Sequence, residues 1–131
     1  MYDITALGEI LIDFTYQGIG RNGQKLFAQN PGGAPANALT SAARFGAKTA
    51  FLGKAGTDMH GRFLKEILEK EQIDTRGFIL DERYFTTLAF VDLSPEGERT
   101  FSFARKPGAD TQITEKELDM EILGKIGRAH V

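Results

Sequence analysis

The sequence predicts an α/β fold, a parallel sheet with flanking helices, carrying a small added β element. Three observations lead there. Short apolar strands alternate with helical runs through the first 71 residues, joined by short glycine-bearing connections. The second helical run repeats its apolar residues at three- and four-residue spacing. Two strand-like runs joined by a sharp turn then replace the strand–helix alternation.

In order along the chain, Ile4 to Gly8 and Glu9 to Phe14 read as short apolar strands, with Asp13 set among Ile10, Leu11, Ile12 and Phe14. A carboxylate is expensive to bury unpaired, so Asp13 either faces water or has a designated partner. Thr15 to Asn30 is polar and glycine-rich, with a short strand expected near Lys25 to Gln29. The first helix is predicted over Pro35 to Phe45, ending at Gly46, with Pro35 at the first helical position. Its small face (Ala36, Ala42, Ala43) allows close approach to a sheet. Thr49 to Gly53 is the next strand. The second helix spans Asp58 to Glu71, N-capped by Asp58 or Thr57, with Met59, Phe63, Leu64, Ile67 and Leu68 on its apolar face. Thr86 to Leu93 and Arg99 to Arg105 form a hairpin around Ser94-Pro95-Glu96-Gly97-Glu98, with Arg99, Phe101, Phe103 and Arg105 on one face of the second strand. That hairpin is either a flap over the carboxyl ends of the sheet or an edge completing it. Glu115 to Leu123 is predicted helical, with Thr114 and Glu117 as a capping box.

The 131 residues are enough for one domain, burying roughly two-thirds of the unfolded surface. A hydrophobic fraction of 41% and a charged fraction of 26% are those of a soluble globular chain. The formal net charge of −2 gives no reason to expect nucleic acid or an anionic membrane as partner. The chain has no cysteine, which excludes disulfides and thiolate chemistry and is compatible with a cytoplasmic setting. Two histidines without cysteine make a structural zinc site improbable. No signal-peptide pattern and no stretch of membrane-spanning length is visible.

The richest stretch is Asn30-Pro31-Gly32-Gly33-Ala34-Pro35-Ala36-Asn37. Two adjacent glycines let a ligand approach the main chain, and the helix that follows points free N–H groups toward it. Asn37 adds an amide that both donates and accepts, which suits a hydroxyl-rich ligand. The alternative is a plain turn into a well-started helix.

Other motifs fail on context. Gly18-Ile19-Gly20-Arg21-Asn22-Gly23 fits G-x-G-x-x-G but leads into no helix, so it does not read as a dinucleotide site. Gly53-Lys54 is followed by Ala55, where a phosphate-binding loop needs Ser or Thr. His60 is expected to face solvent, and His130, one residue from the end, to be disordered.

Taken in order, Gly8-Glu9-Ile10-Leu11-Ile12-Asp13-Phe14, Pro31 to Ala38, Phe51 to Arg62, Thr87 to Val91 and Phe101 to Asp110 resemble the ribokinase/fructokinase family of PfkB-type carbohydrate kinases over residues 3–123. The Gly-Glu-x-Leu-Ile-Asp-Phe start and the hairpin's Phe-x-x-Arg-x-Pro-x-Ala-Asp ending are most like fructokinases. The resemblance implies a ribokinase-like fold, of which residues 1–131 form the N-terminal part, with lid segments near 11–30 and 84–106. It implies that Asp13 accepts hydrogen bonds from sugar hydroxyls, that Gly32, Gly33 and Asn37 floor the sugar site, and that Phe103 and Arg105 meet the substrate from the lid. A lid that excludes water protects the γ-phosphoryl group from hydrolysis. Ala104 and Lys106 replace the aromatic residue and Asn common in fructokinases, which leaves ribose, 2-keto-3-deoxygluconate and nucleosides as alternative substrates.

The resemblance also implies ATP and Mg2+ as cofactors, with the catalytic Asp in a C-terminal half. The family's Gly-Ala-Gly-Asp motif is absent from this sequence. The chain is thus expected to hold the sugar site and lid of a truncated kinase and to be inactive alone. Half a sheet leaves an unpaired edge, so aggregation or a homodimer through the lid strands is expected. A non-catalytic sugar-binding or oligomerisation module is the alternative from another class.

Overall fold

The computed structural model describes residues 1–127 and the backbone of Ala129 and His130. Among these residues the strands form two four-stranded sheets. The first takes β1 (Ile4–Leu7), β4 (Thr49–Gly56), β5 (Phe78–Asp81) and β8 (Ala129–His130) in the order β5-β4-β1-β8, and every pairing in it is parallel. The second takes β2 (Leu11–Ile19), β3 (Lys25–Gly32), β6 (Leu88–Leu93) and β7 (Arg99–Ala104) in the order β3-β2-β6-β7. Its outer pairings are antiparallel, and β2 runs parallel to β6.

Strand β4 is buried along its whole length, as a central parallel strand covered on both faces must be. One face lies under α1 (Ala34–Arg44) and α2 (Met59–Lys70), where Ala6, Leu39, Phe51, Ala55, Leu64 and Leu68 form the main core. Burying a side chain such as Leu39, Phe51 or Leu64 contributes about 1.5–3 kcal/mol. The other face carries Ala50 and Leu52 against Ile122 of α3 (Met120–Leu123). No described helix is long and apolar enough to cross a membrane.

Local chemistry fixes the helix ends. Gly33 has φ 108, outside helical space, so α1 begins at Ala34 and Pro35 takes its second position rather than its first. The Ala47 and Gly46 N–H groups return to the Ala42 and Ala43 carbonyls around Gly46 at φ 92, closing α1 as a Schellman motif. Asp58 caps α2 by accepting from the N–H groups of His60 (3.0 Å) and Gly61 (2.9 Å).

Several expectations are corrected. Strand β2 runs on to Ile19, because pairing with β3 continues as far as Ile19 and Lys25 and satisfies its backbone despite polar side chains, while β6 pairs with it only to Thr15. Strand β5 was not anticipated; its four residues are too few to show a period. The predicted helix at 115–123 divides into a 3-10 turn (Glu115–Glu117) and α3, with Leu118 extended at ψ 131. Glu117 there turns toward Lys54 while Leu118 packs on the second core cluster. The backbone of His130, expected to be disordered, lies in β8 beside Ala6.

Candidate functional site

The second sheet sets side chains in rows. Asn30, Asp13, Ala89 and Phe103 are in register across its four strands, and the next row is Ala28, Thr15, Val91 and Phe101. Because strand side chains alternate, these residues share one face, while Phe14, Phe90 and Gln29 occupy the other. On the first face a cleft of about 410 Å³ is lined by Asp13, Thr15, Asn30, Val91, Arg99 and Phe101 among others.

Asp13 has no partner among the described residues. Burial first, and the charge of Glu9 second, push its carboxyl above the ordinary aspartate value. Beside it the Asn30 amide donates to Thr15 Oγ1 at 3.0 Å. Gly32 leaves the space that the carboxylate fills: a Cβ there would overlap Asp13 Oδ2 and approach Leu11 Cδ1 to 2.8 Å. Gly33 is constrained twice, by its positive φ and by the Glu9 carbonyl oxygen 2.7 Å from where its Cβ would lie.

The residues named from sequence are only partly gathered. Asp13, Gly32 and Gly33 lie together where β2 meets the β3–α1 corner. Asn37 is exposed and lines a different cavity of about 220 Å³ with Pro31, Thr40 and Arg44. Phe103 shares Asp13's row, yet borders with Arg105 a second cleft of about 340 Å³ that includes Phe85 and Pro107. The Arg105 guanidinium lies 4.2 Å from the Phe103 ring centroid, and Phe101 stacks beside Phe103 at 6.4 Å. The sequence reading set Arg99 on one face with Phe101 and opened its glycine motif at Asn30 without naming either as a site residue, and it missed Thr15, which period-two alternation from Asp13 places on the same face.

The two strands linking the sheets are anchored to the body. Asp58 accepts from the Thr86 N–H (2.9 Å) and the Thr86 hydroxyl (2.8 Å), so one carboxylate joins the start of α2 to the chain entering β6. Burial opposes its charge, but these bonds and that from Gly61 outweigh it and hold its carboxyl below the usual value. On the return segment, Asp110 accepts from the Thr87 hydroxyl at 2.5 Å and the Ala109 N–H donates to the Phe85 carbonyl at 2.9 Å.

Lys54, rejected as a phosphate-loop lysine, is wholly buried. Its ammonium meets Glu117 (2.8 Å), Asp81 (3.0 Å) and the Gln112 carbonyl (3.0 Å). Burial disfavours its charge, but the two carboxylates outweigh that and leave its pKa raised. His60 also departs from its expected place in solvent: it is half-buried against Phe14 and Phe85, with Nδ1 3.0 Å from Gln29 Nε2.

An unpartnered carboxylate with an amide, a guanidinium and aromatic faces around one cleft suits an uncharged ligand rich in hydroxyls, which both donates and accepts. Residues 1–129 match the profile described as pfkB family carbohydrate kinase, and the chain belongs to that family. It is 41% identical over 129 residues to Fructokinase-1 of Oryza sativa subsp. japonica, covering 97% of this chain and 40% of that protein. The crystal structure of fructokinase from Xylella fastidiosa superposes with a TM-score of 0.92 at 36% identity, covering 98% of this chain and 40% of that one. An uncharacterized sugar kinase from Pyrococcus horikoshii in complex with ATP gives 0.85 at 33%, covering 96% and 41%. The chain therefore spans about 40% of the length of the relatives it matches.

Proposed function

We propose that residues 1–131 form the sugar-binding front of an ATP-dependent carbohydrate kinase of fructokinase type. The observation that carries this reading is Asp13, a partly buried carboxylate without a protein partner, aimed from a sheet face into a cleft and given its space by Gly32. In the intact enzyme a sugar hydroxyl attacks the γ-phosphorus, the β–γ bond breaks and ADP leaves. Asp13 accepts from non-reacting hydroxyls and so orients the attacking one. Gly32 and Gly33 provide the floor, and Asn37, Phe103 and Arg105 complete the site as the lid segments near 11–30 and 84–106 close over the sugar.

The base that takes the hydroxyl proton and the nucleotide site belong, on this reading, to the kinase regions that this chain does not span. Among the described residues there is no cluster of three or more His, Cys, Asp or Glu that could hold a metal ion. The exposed strand β7, with Phe101 at 57% and Phe103 at 44% exposure, is the surface through which a homodimer would form. A cytoplasmic location fits this reading.

The test is a sugar panel on the purified chain, with ADP release from Mg-ATP followed in parallel. Fructose should bind in preference to ribose or 2-keto-3-deoxygluconate, Asp13→Ala should abolish the binding, and no ADP should appear. ADP release would place the phosphoryl-transfer machinery on this chain and contradict the reading.

A further inference from the structure

Resting on the lid reading above, we infer that His60 is a positioning residue for Asp13, bracing from behind the strand pair that carries it. Two neighbours in the second sheet define the relationship. Asp13 is in register with Asn30, and Phe14 with Gln29. The first pair faces the cleft and the second faces the body. His60 touches both members of the second pair: its ring meets Phe14 edge-on at 5.6 Å, and its Nδ1 lies 3.0 Å from Gln29 Nε2.

The brace is fixed at both ends. On the body side, the His60 N–H donates to Asp58, whose carboxylate also holds Thr86 at the entry to β6. A third ring, Phe85, meets His60 at 5.9 Å from that same entry strand. On the sheet side, Phe14 stacks on Phe90 of β6 at 5.1 Å, so a force on Phe14 reaches β6 as well as β2, the strand that carries Asp13. A side chain in the first turn of α2 thus sets how far the sheet's inner face stands from the body. Asp13 is carried by the backbone that His60 holds, while His60 itself stays on the opposite face of the sheet.

The experiment combines amide exchange and fructose titration on the full 131-residue chain, comparing His60→Ala, His60→Gln, Gln29→Ala and the double variant Gln29→Ala/His60→Ala. In His60→Ala, exchange should accelerate at Phe14 and Gln29 but not at the core positions Ala6 and Phe51. Fructose binding should weaken about fivefold, the size of one net hydrogen bond lost. The double variant should be no worse than His60→Ala, because both remove one contact. His60→Gln, which keeps a polar group for Gln29, should recover part of the loss. Unchanged exchange at Phe14 and Gln29 together with unchanged fructose affinity would overturn the inference. If His60→Ala loosens the core as well, Gln29→Ala decides: selective loosening at Phe14 supports the brace, and none rejects it. Failure of the unaltered chain to bind fructose would count against the sugar reading alone, since the exchange comparison still judges the brace.

Discussion

Asp13 and Gly32 face each other diagonally across the β2–β3 ladder so closely that a methyl group on residue 32 would overlap the carboxylate oxygen Oδ2. The glycine is needed for the space it leaves rather than for an unusual backbone. Gly32→Ala should therefore displace the Asp13 side chain, which can rotate, at a stability cost below about 1 kcal/mol. Fructose affinity should nevertheless fall about tenfold, because a misplaced acceptor loses its hydroxyl. Calorimetric titration beside thermal unfolding separates the two effects.

Gly33→Ala should behave in the opposite way. The new Cβ meets the Glu9 backbone oxygen, which cannot swing aside, and the φ of 108 is strained for any L side chain. We expect a loss of at least about 2 kcal/mol, read by urea unfolding.

Asp13 itself trades stability for binding. Its raised folded pKa means that the native state holds the proton more tightly than the unfolded chain does. The cost of the ionised carboxylate is absent below the ordinary aspartate value, grows as pH rises through the raised value, and is complete above it. Asp13→Asn should thus stabilise the chain at pH 7 by about 0.5 kcal/mol for a charge that water still screens, seen as a higher melting temperature, and leave acid stability unaltered. A variant that melts lower at pH 7 would contradict this.

The Lys54 cluster has the reverse sign. Asp81 is held below the usual carboxylate range by Arg83 first and Lys54 after it, and Glu117 by Lys54 first. Their contribution is present above the unfolded carboxylate values and is lost as pH falls through and below them. Lys54→Met removes the buried cation the two carboxylates share, leaving Asp81 to Arg83 and Glu117 to its Thr114 bonds, and should cost about 2 kcal/mol at pH 7. Its stability should also decline less steeply between about pH 5 and 2, which a series of denaturant midpoints would measure.

Gln72 closes α2 at φ 60, the left-handed position where its N–H and that of Ile73 return to Glu69 and Leu68. Gln72→Gly should stabilise the chain by about 0.5–1 kcal/mol, seen as a higher melting temperature.

How much of this was legible depended on what each residue needed. Asp13 announced itself as a charge in an apolar strand, and the glycine pair as a backbone approach, because both break a local rule. The helices were readable from period and caps: Asp58 caps α2 and Gly46 closes α1. Strand β5 was not readable, since its definition comes from β4 alongside and from Asp81 meeting Lys54, contacts remote in sequence. His60 looked like a solvent-facing residue in a first helical turn; only the second sheet folding back brings Phe14 and Gln29 to it. The division at Leu118 has the same origin, since tertiary contacts of Glu117 and Leu118 outweigh their helical preference. Asn37 followed from its motif, but the cavity that it lines could not.

The most direct test of the central claim is a fructose titration of the isotopically labelled chain followed by amide chemical shifts, beside Asp13→Asn. Saturable shifts at Asp13, Asn30, Gly32 and Gly33 in the unaltered chain, absent from the variant, are the predicted result. No shift at millimolar fructose, or shifts that persist in Asp13→Asn, would contradict the assignment of this cleft as the sugar site.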